Sequence, residues 1–186
     1  MSSTIINNIP GIEHYSYLEL GVFRNENFNA IKCNRKFSVD INGRAMYTGT
    51  TDDYFAQLDA AAEFDIVFID ANHDYDYVIK DFNNAIDHAV RWIAIHDMIP
   101  PSVKHTQSKF CSDSFRVLYF LLKETDFEIY PMNTNFGLTF VRMPAAKISP
   151  GADYANVSYG EFMEFISHAK LYSDQEIIKI LKDSNV

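Results

Sequence analysis

The stretch Ser16-Tyr-Leu-Glu-Leu-Gly-Val-Phe-Arg-Asn25 constrains the fold of this chain more than any other. Tyr17, Leu18, Leu20 and Val22 form a short apolar run broken only by Glu19. Such a run reads as a strand of a parallel sheet, covered on both faces. A carboxylate in that setting is costly unless something partners it. Gly21 falls where the strand ends, and a backbone without a side chain lets another molecule come close. Phe28, Ala30 and Ile31 predict a helix near residues 26–33, with Asn25 as its N-cap. Strand, acid, glycine, turn and helix together describe a ligand cradle.

The rest of the chain repeats this alternation. Residues 1–15 read as a lead-in with a turn at Pro10-Gly11. A second strand spans 36–42 and carries Asp40, and a short third strand at 46–48 runs into Gly49-Thr-Thr-Asp52. Phe55, Leu58, Ala61 and Ala62 then share one helix face. Phe64-Asp-Ile-Val-Phe-Ile-Asp70 is the clearest buried strand, and its helix bears Val78, Ile79, Phe82, Ala85, Ile86 and Ala89. A fifth strand, Trp92-Ile-Ala-Ile-His-Asp97, stops before Pro100-Pro101. After a helix bearing Phe115, Leu118, Tyr119 and Leu122, residues 127–130 and 138–142 close the domain as a hairpin whose loop holds Pro131, Asn133 and Asn135. Residues 143–157 read as a linker. Two capping boxes, Ser158-x-x-Glu161 and Ser173-x-x-Glu176, predict helices at 158–172 and 174–183.

Strands alternating with helices imply a doubly wound α/β sheet with right-handed crossovers. Ligands bind such sheets beyond the carboxyl ends of the strands, at the switch point. Gly21, Asp40, Asp70 and Asp97 all fall at or just past such ends. His73, on the loop after Asp70, is placed to act as a general base for a substrate hydroxyl, since an imidazole titrates near working pH. His96, one residue before Asp97, is expected to face the other side of the strand.

Composition excludes several classes. At 186 residues the chain has the size of one domain and can bury a sizeable core. No apolar run approaches the roughly 18 residues of a membrane span. The residues following Met1 show neither the basic nor the apolar part of a signal peptide, so Asn156-Val-Ser158 reads as a chance glycosylation triplet. Cys33 and Cys111 make neither a disulfide framework nor a zinc motif, which fits a reducing cytoplasm. A net charge of −9 argues against a nucleic-acid partner.

Glu19-Leu-Gly21, Asp40, Gly49-Thr-Thr-Asp52, Ile69-Asp-Ala-Asn-His-Asp-Tyr75 with Asp81, and Ile95-His-Asp97 stand in an order that resembles class I S-adenosylmethionine-dependent methyltransferases. The nearest look is to the small catechol- and macrocin-type O-methyltransferases, over roughly residues 14–143. The resemblance implies a Rossmann-like sheet, mostly parallel with a closing antiparallel pair, in residues 1–143, and a helical extension in 144–186 packed on it. It implies O-methylation of a small-molecule acceptor such as a sugar, with no nucleic-acid or membrane partner and room for a homo-oligomer. In that reading Gly21 approaches the methionine part of the cofactor and Glu19 orders its amino end. Asp40 takes the ribose hydroxyls, Thr51 and Asp52 meet adenine, and Asp70 both borders the cofactor and serves with His73 as a catalytic residue. Asp70 and Asp97 become the ligands of a divalent cation such as Mg2+.

The chain departs from the family at Asn25, where a further glycine is usual, and at Arg91-Trp92, where a glycine pair often precedes the fifth strand. Met98 stands where cation-dependent members carry a second Asp or Asn. Two other classes stay open at this stage. One is a methyltransferase-like binding or scaffold domain. The other is a nicotinamide-dependent oxidoreductase, although Phe23 and Glu26 stand where its glycine fingerprint needs glycines.

Overall fold

A computed structural model describes residues 2–107, 109–134 and 136–183. The helices are α1 (Ser2–Ile6), α2 (Glu26–Ala30), α3 (Thr51–Gln57), α4 (Tyr75–Ile86), α5 (Phe115–Glu124), α6 (Ala152–Ala155), α7 (Tyr159–His168) and α8 (Asp174–Asp183). The strands are β1 (Ser16–Leu20), β2 (Arg35–Asp40), β3 (Tyr47–Thr48), β4 (Phe64–Ile69), β5 (Ala89–Ile95), β6 (Ile129–Met132) and β7 (Leu138–Arg142). They form one sheet in the order β3-β2-β1-β4-β5-β7-β6. The first five are parallel, and β7 enters antiparallel between β5 and β6. This is the doubly wound sheet that the alternation predicts, with the closing antiparallel pair that the resemblance implies.

Every residue of β1 is buried, because the two-residue period of a strand feeds two cores. Leu18, Leu20, Val67, Ile69, Ile93 and Ile95 join α4, α5 and α7 on one face. Tyr17, Ile66, Phe68, Trp92 and Ala94 join α1 and α8 on the other. Helical coverage on both faces is what allows near-continuous apolar strands.

Several boundaries differ from expectation. The lead-in contains α1 and a 3-10 turn at Ile12–His14, and it buries Ile5, Ile6, Ile9 and Ile12. α3 stops at Gln57 because Leu58 turns extended, so Ala61 and Ala62 lie outside it. Ala89 opens β5 rather than closing α4. β6 sits two residues later than predicted and includes Pro131, which an edge strand tolerates because its missing N–H breaks no inner ladder. Asn135 lies outside the described residues.

Both capping boxes form. Ser158 Oγ accepts from Glu161 N, and Glu161 Oε2 accepts from Ser158 N at 2.8 Å. Glu176 Oε2 accepts from Ser173 N at 2.9 Å. α7, shorter than the predicted 158–172, buries Phe162 and Ile166 in one core, and α8 buries Ile177 and Leu181 in the other. The backbone amides of α7 and α8 are therefore expected to exchange well below free-peptide rates; free-peptide exchange throughout both helices would refute this packing.

Candidate functional site

β1 and β4 are neighbours, and the chain leaves β1 towards β2 and β4 towards β5. Their carboxyl ends thus form the switch point, where the loops diverge and open a crevice. A cleft of about 950 Å3 lies there, lined among others by Gly21, Asp40, Thr51, Asp52, Asp70 and His73. A smaller pocket of about 300 Å3 adjoins it and includes Glu19, Asn27, His96 and Phe136. Gly21, Phe23 and Asp70 border both.

The loop after β1 is wound by left-handed residues: Gly21 at φ 83, Phe23 at φ 43 and Asn25 at φ 63. Asn25 occupies the N-cap position of α2 but makes no capping bond; its Nδ2 donates to the Arg44 carbonyl at 2.9 Å. Asparagine accepts this conformation better than most residues, so the turn forms without a glycine there. Gly21 is needed for a different neighbour than expected. A Cβ there would sit 2.2 Å from the Asp70 carbonyl oxygen and 2.5 Å from Ala71 Cα, so it is the chain's own backbone that comes close.

Asp40 is also already engaged. Its Oδ2 accepts from Val22 N at 2.8 Å and Phe23 N at 2.9 Å, and its Oδ1 accepts from Asn42 N at 2.8 Å. An ionised carboxylate offers about four acceptor sites. Roughly one remains for an incoming hydroxyl, where two ribose bonds had been expected. Thr51 and Asp52 open α3 across the cleft; Thr51 bonds to buried Asp81, whose carboxyl burial pushes up to about 7. Asp52 pairs with Lys80 at 3.7 Å on the rim.

Glu19 is satisfied internally. Tyr17 Oη donates to its Oε2 at 2.5 Å and Asn27 Nδ2 at 3.0 Å. Burial raises its carboxyl to about 7, with those two donors pulling the other way. Asn27 and Tyr17 are site residues that sequence reasoning missed, because nothing in their spacing marks them as partners of an acid.

At the ends of β4 and β5 four titratable groups meet. Asp70 Oδ1 lies 3.2 Å from His73 Nε2 and 3.1 Å from His96 Nδ1. Asp97 Oδ2 lies 3.4 Å from His73 Nδ1, and its Oδ1 lies 3.2 Å from His96 Nδ1. His96 was expected to face away. The strand ends at Ile95 and Asp97 takes φ 60, so alternation no longer applies and both side chains enter the cluster. Burial opposes ionisation of Asp70, but His96 and His73 outweigh it and hold the carboxyl below its usual range. His73 is likewise desolvated, yet Asp70 and Asp97 push it up to about 9. Its Nδ1 also contacts the Phe110 carbonyl at 2.6 Å. An imidazole so held is protonated near neutral pH with both nitrogens in use, which does not suit the free general base predicted from sequence.

No protein-family model matches this chain, and no curated protein matches it. Solved structures do. The O-methyltransferase TomG from Streptomyces achromogenes, involved in tomaymycin synthesis and crystallised with SAM, is 14% identical and covers 76% of this chain and 78% of its own, with a TM-score of 0.59. A putative O-methyltransferase from Klebsiella pneumoniae is 11% identical over 77% of this chain and 79% of its own, with a TM-score of 0.57. An O-methyltransferase from Bacillus cereus in complex with SAH is 13% identical over 75% and 78%, with a TM-score of 0.54. At such identities the likeness is one of fold: this chain has the Rossmann-like fold of those O-methyltransferases.

Proposed function

We propose that this protein is an S-adenosylmethionine-dependent methyltransferase acting on an oxygen of a small molecule, carried by residues 1–143 with 144–186 as a helical extension. The observation that carries this reading is the cleft at the switch point. In it the left-handed loop after β1, the acid ending β2 and the first turn of α3 face one another. Its volume falls at the upper end of the range for small-molecule sites, roughly 300–1,000 Å3. The remaining acceptor capacity of Asp40 suits one ribose hydroxyl, and Asp52 on the rim suits an exocyclic amine. Glu19, in the adjoining pocket, suits a cationic amino end. The residues therefore fit the cofactor.

S-adenosylmethionine, when bound, supplies a methyl group activated by its sulfonium. The chain's own part is chiefly positioning, which can account for much of such a rate. Gly21 and the Val22 and Phe23 amides, fixed on Asp40, hold the loop. Asp70 borders both the cleft and the smaller pocket, so its carboxylate is placed to accept a hydrogen bond from an acceptor hydroxyl. His73 orients that carboxylate rather than removing the proton itself. Free, buried Cys33 and Cys111 fit a cytoplasmic setting, and no helix among the described residues is long and apolar enough to cross a membrane.

Calorimetry with S-adenosylmethionine and with the nicotinamide cofactors tests the reading. Asp40→Ala is expected to weaken S-adenosylmethionine by about 1.5–3 kcal/mol, the range for hydrogen bonds to a charged group. Unchanged affinity in a folded Asp40→Ala protein, or tighter binding of a nicotinamide cofactor, would overturn it. Binding without turnover across a panel of hydroxylated acceptors would favour the scaffold reading instead.

A further inference from the structure

We propose that Asp81 reads the base of the cofactor through a protonated carboxyl, so that its contribution to cofactor affinity is lost as pH rises. The inference rests on the cofactor reading above and deepens it. Asp81 is only 2% exposed, yet it lines the cleft. Tyr77 and Lys80 line the same wall, because side chains at this spacing share one face of α4. Thr51 and Asp52, which open α3, stand against that wall.

A buried carboxylate needs a cation or several donors to stay ionised. Among the described residues Asp81 has only the Thr51 hydroxyl as a hydrogen-bond partner. Lys80 is engaged elsewhere: its Nζ lies 3.7 Å from Asp52 Oδ2 and 5.5 Å from the centre of the Tyr77 ring. The charged groups that face Asp81 are Asp52 on α3 and Lys80 on its own helix. β4, β5 and α5, which also pack on α4, join it in an apolar core that includes Val67, Ile93 and Leu118. Burial and then Asp52 outweigh Thr51 and Lys80, and they raise the carboxyl to about 7. The group keeps its proton below neutral pH and loses it above.

The two protonation states present different patterns to a ligand. An ionised carboxylate only accepts, whereas a protonated one donates through its O–H and accepts at its carbonyl oxygen. The second pattern is that of an amide side chain, which pairs with adenine by donating to a ring nitrogen and accepting from the exocyclic amine. Protonated Asp81 offers the same pair, with the Thr51 hydroxyl on a remaining lone pair of the accepting oxygen. Ionised Asp81 would set its charge against the lone pair of the ring nitrogen. The exocyclic amine has a second hydrogen, and Asp52 on the rim is free to accept it while held by Asn84 Nδ2 at 3.4 Å. Tyr77, 49% exposed, leaves its ring bare at the cleft for the base to lie against.

The test is calorimetry of the full-length protein with S-adenosylhomocysteine at about pH 6 and about pH 8, in buffers of different ionisation enthalpy. Asp81→Asn keeps the donor and acceptor but cannot ionise, and circular dichroism checks its fold. From the lower to the higher pH the parent protein is expected to lose about tenfold in affinity relative to Asp81→Asn, as the competent fraction falls. At the higher pH the parent should also take up close to one more proton per ligand than the variant. Glu19, also raised to about 7, would shed a proton to hold the amino end, and this opposite effect cancels in the comparison. Asp81→Leu, with neither function, is expected to bind about tenfold or more weakly already at the lower pH. Parallel pH profiles for the parent and Asp81→Asn would overturn the proposal, and so would parent-like affinity in a folded Asp81→Leu protein. Should Asp81→Asn not fold, the same proton uptake is measured in Glu19→Gln, where its absence overturns the proposal. No binding at either pH would overturn the methyl-transfer reading and this one with it, whereas binding with parallel profiles overturns this one alone.

Discussion

Gly21→Ala is expected to cost about 3–4 kcal/mol of folding stability. A residue with a side chain in the left-handed region costs about 1–2 kcal/mol. Forcing extra volume into a packed site adds about 1–3 kcal/mol. Both terms apply, because Gly21 sits at φ 83 and its added Cβ would meet backbone atoms at 2.2 and 2.5 Å. Those atoms belong to Asp70 and Ala71, so no flexible side chain can swing aside. Relief requires the loops after β1 and β4 to separate, which also displaces Asp70 from His73 and His96. Gly43→Ala and Gly151→Ala are the controls, since nothing lies within 4 Å of a Cβ at either position. They should fall within about 0.5 kcal/mol of the parent protein. Urea unfolding of the three variants decides the matter; a Gly21→Ala protein within about 1 kcal/mol of the parent would show that the two loops are not locked together.

The same position shows what could be read from sequence. A glycine closing an apolar run marks a close approach, but not by what, and here the neighbour is the chain itself. Strands β1 and β4 were legible because burial on both faces leaves an almost unbroken apolar run. The short α1 was not, because five residues closed by Asn7-Asn8 and a Pro-Gly turn carry too little periodicity, although Ile5, Ile6, Ile9 and Ile12 repeat at helical spacing. The acids at strand ends were found because topology alone places them at the crevice. Their partners were hidden: Asp40 is bound by amides, which no side-chain pattern reports. His96 joins the cluster only because the backbone at Asp97 turns left-handed, which breaks the alternation that sequence reading relies on.

Stability is expected to fall as pH rises from about 4.5 to about 7, and Glu19→Gln should remove a large part of that slope. Glu19 lies in β1 beneath the smaller pocket and is about 1% exposed. Burial raises its carboxyl from 4.5 to about 7 in the folded protein, although Tyr17 and Asn27 donate to it. In the unfolded chain it keeps its ordinary value. Below about 4.5 the group is protonated in both states, and its contribution is fully present. Between the two values the unfolded chain loses the proton first, so unfolding becomes progressively easier. Above about 7 the contribution is gone. The whole span corresponds to at most about 3.4 kcal/mol. Asp81, also buried and raised to about 7, slopes the same way and remains in the variant. Asp70 has the opposite sign: its carboxyl is held low, so its contribution is lost only as pH falls towards acid. Subtracting the two curves therefore isolates Glu19. Urea unfolding at several pH values between about 4 and 8 should show the variant gaining on the parent protein as pH rises. Parallel curves across that range would mean that Glu19 is already ionised in the fold, and that its carboxylate is held by more than the two donors described.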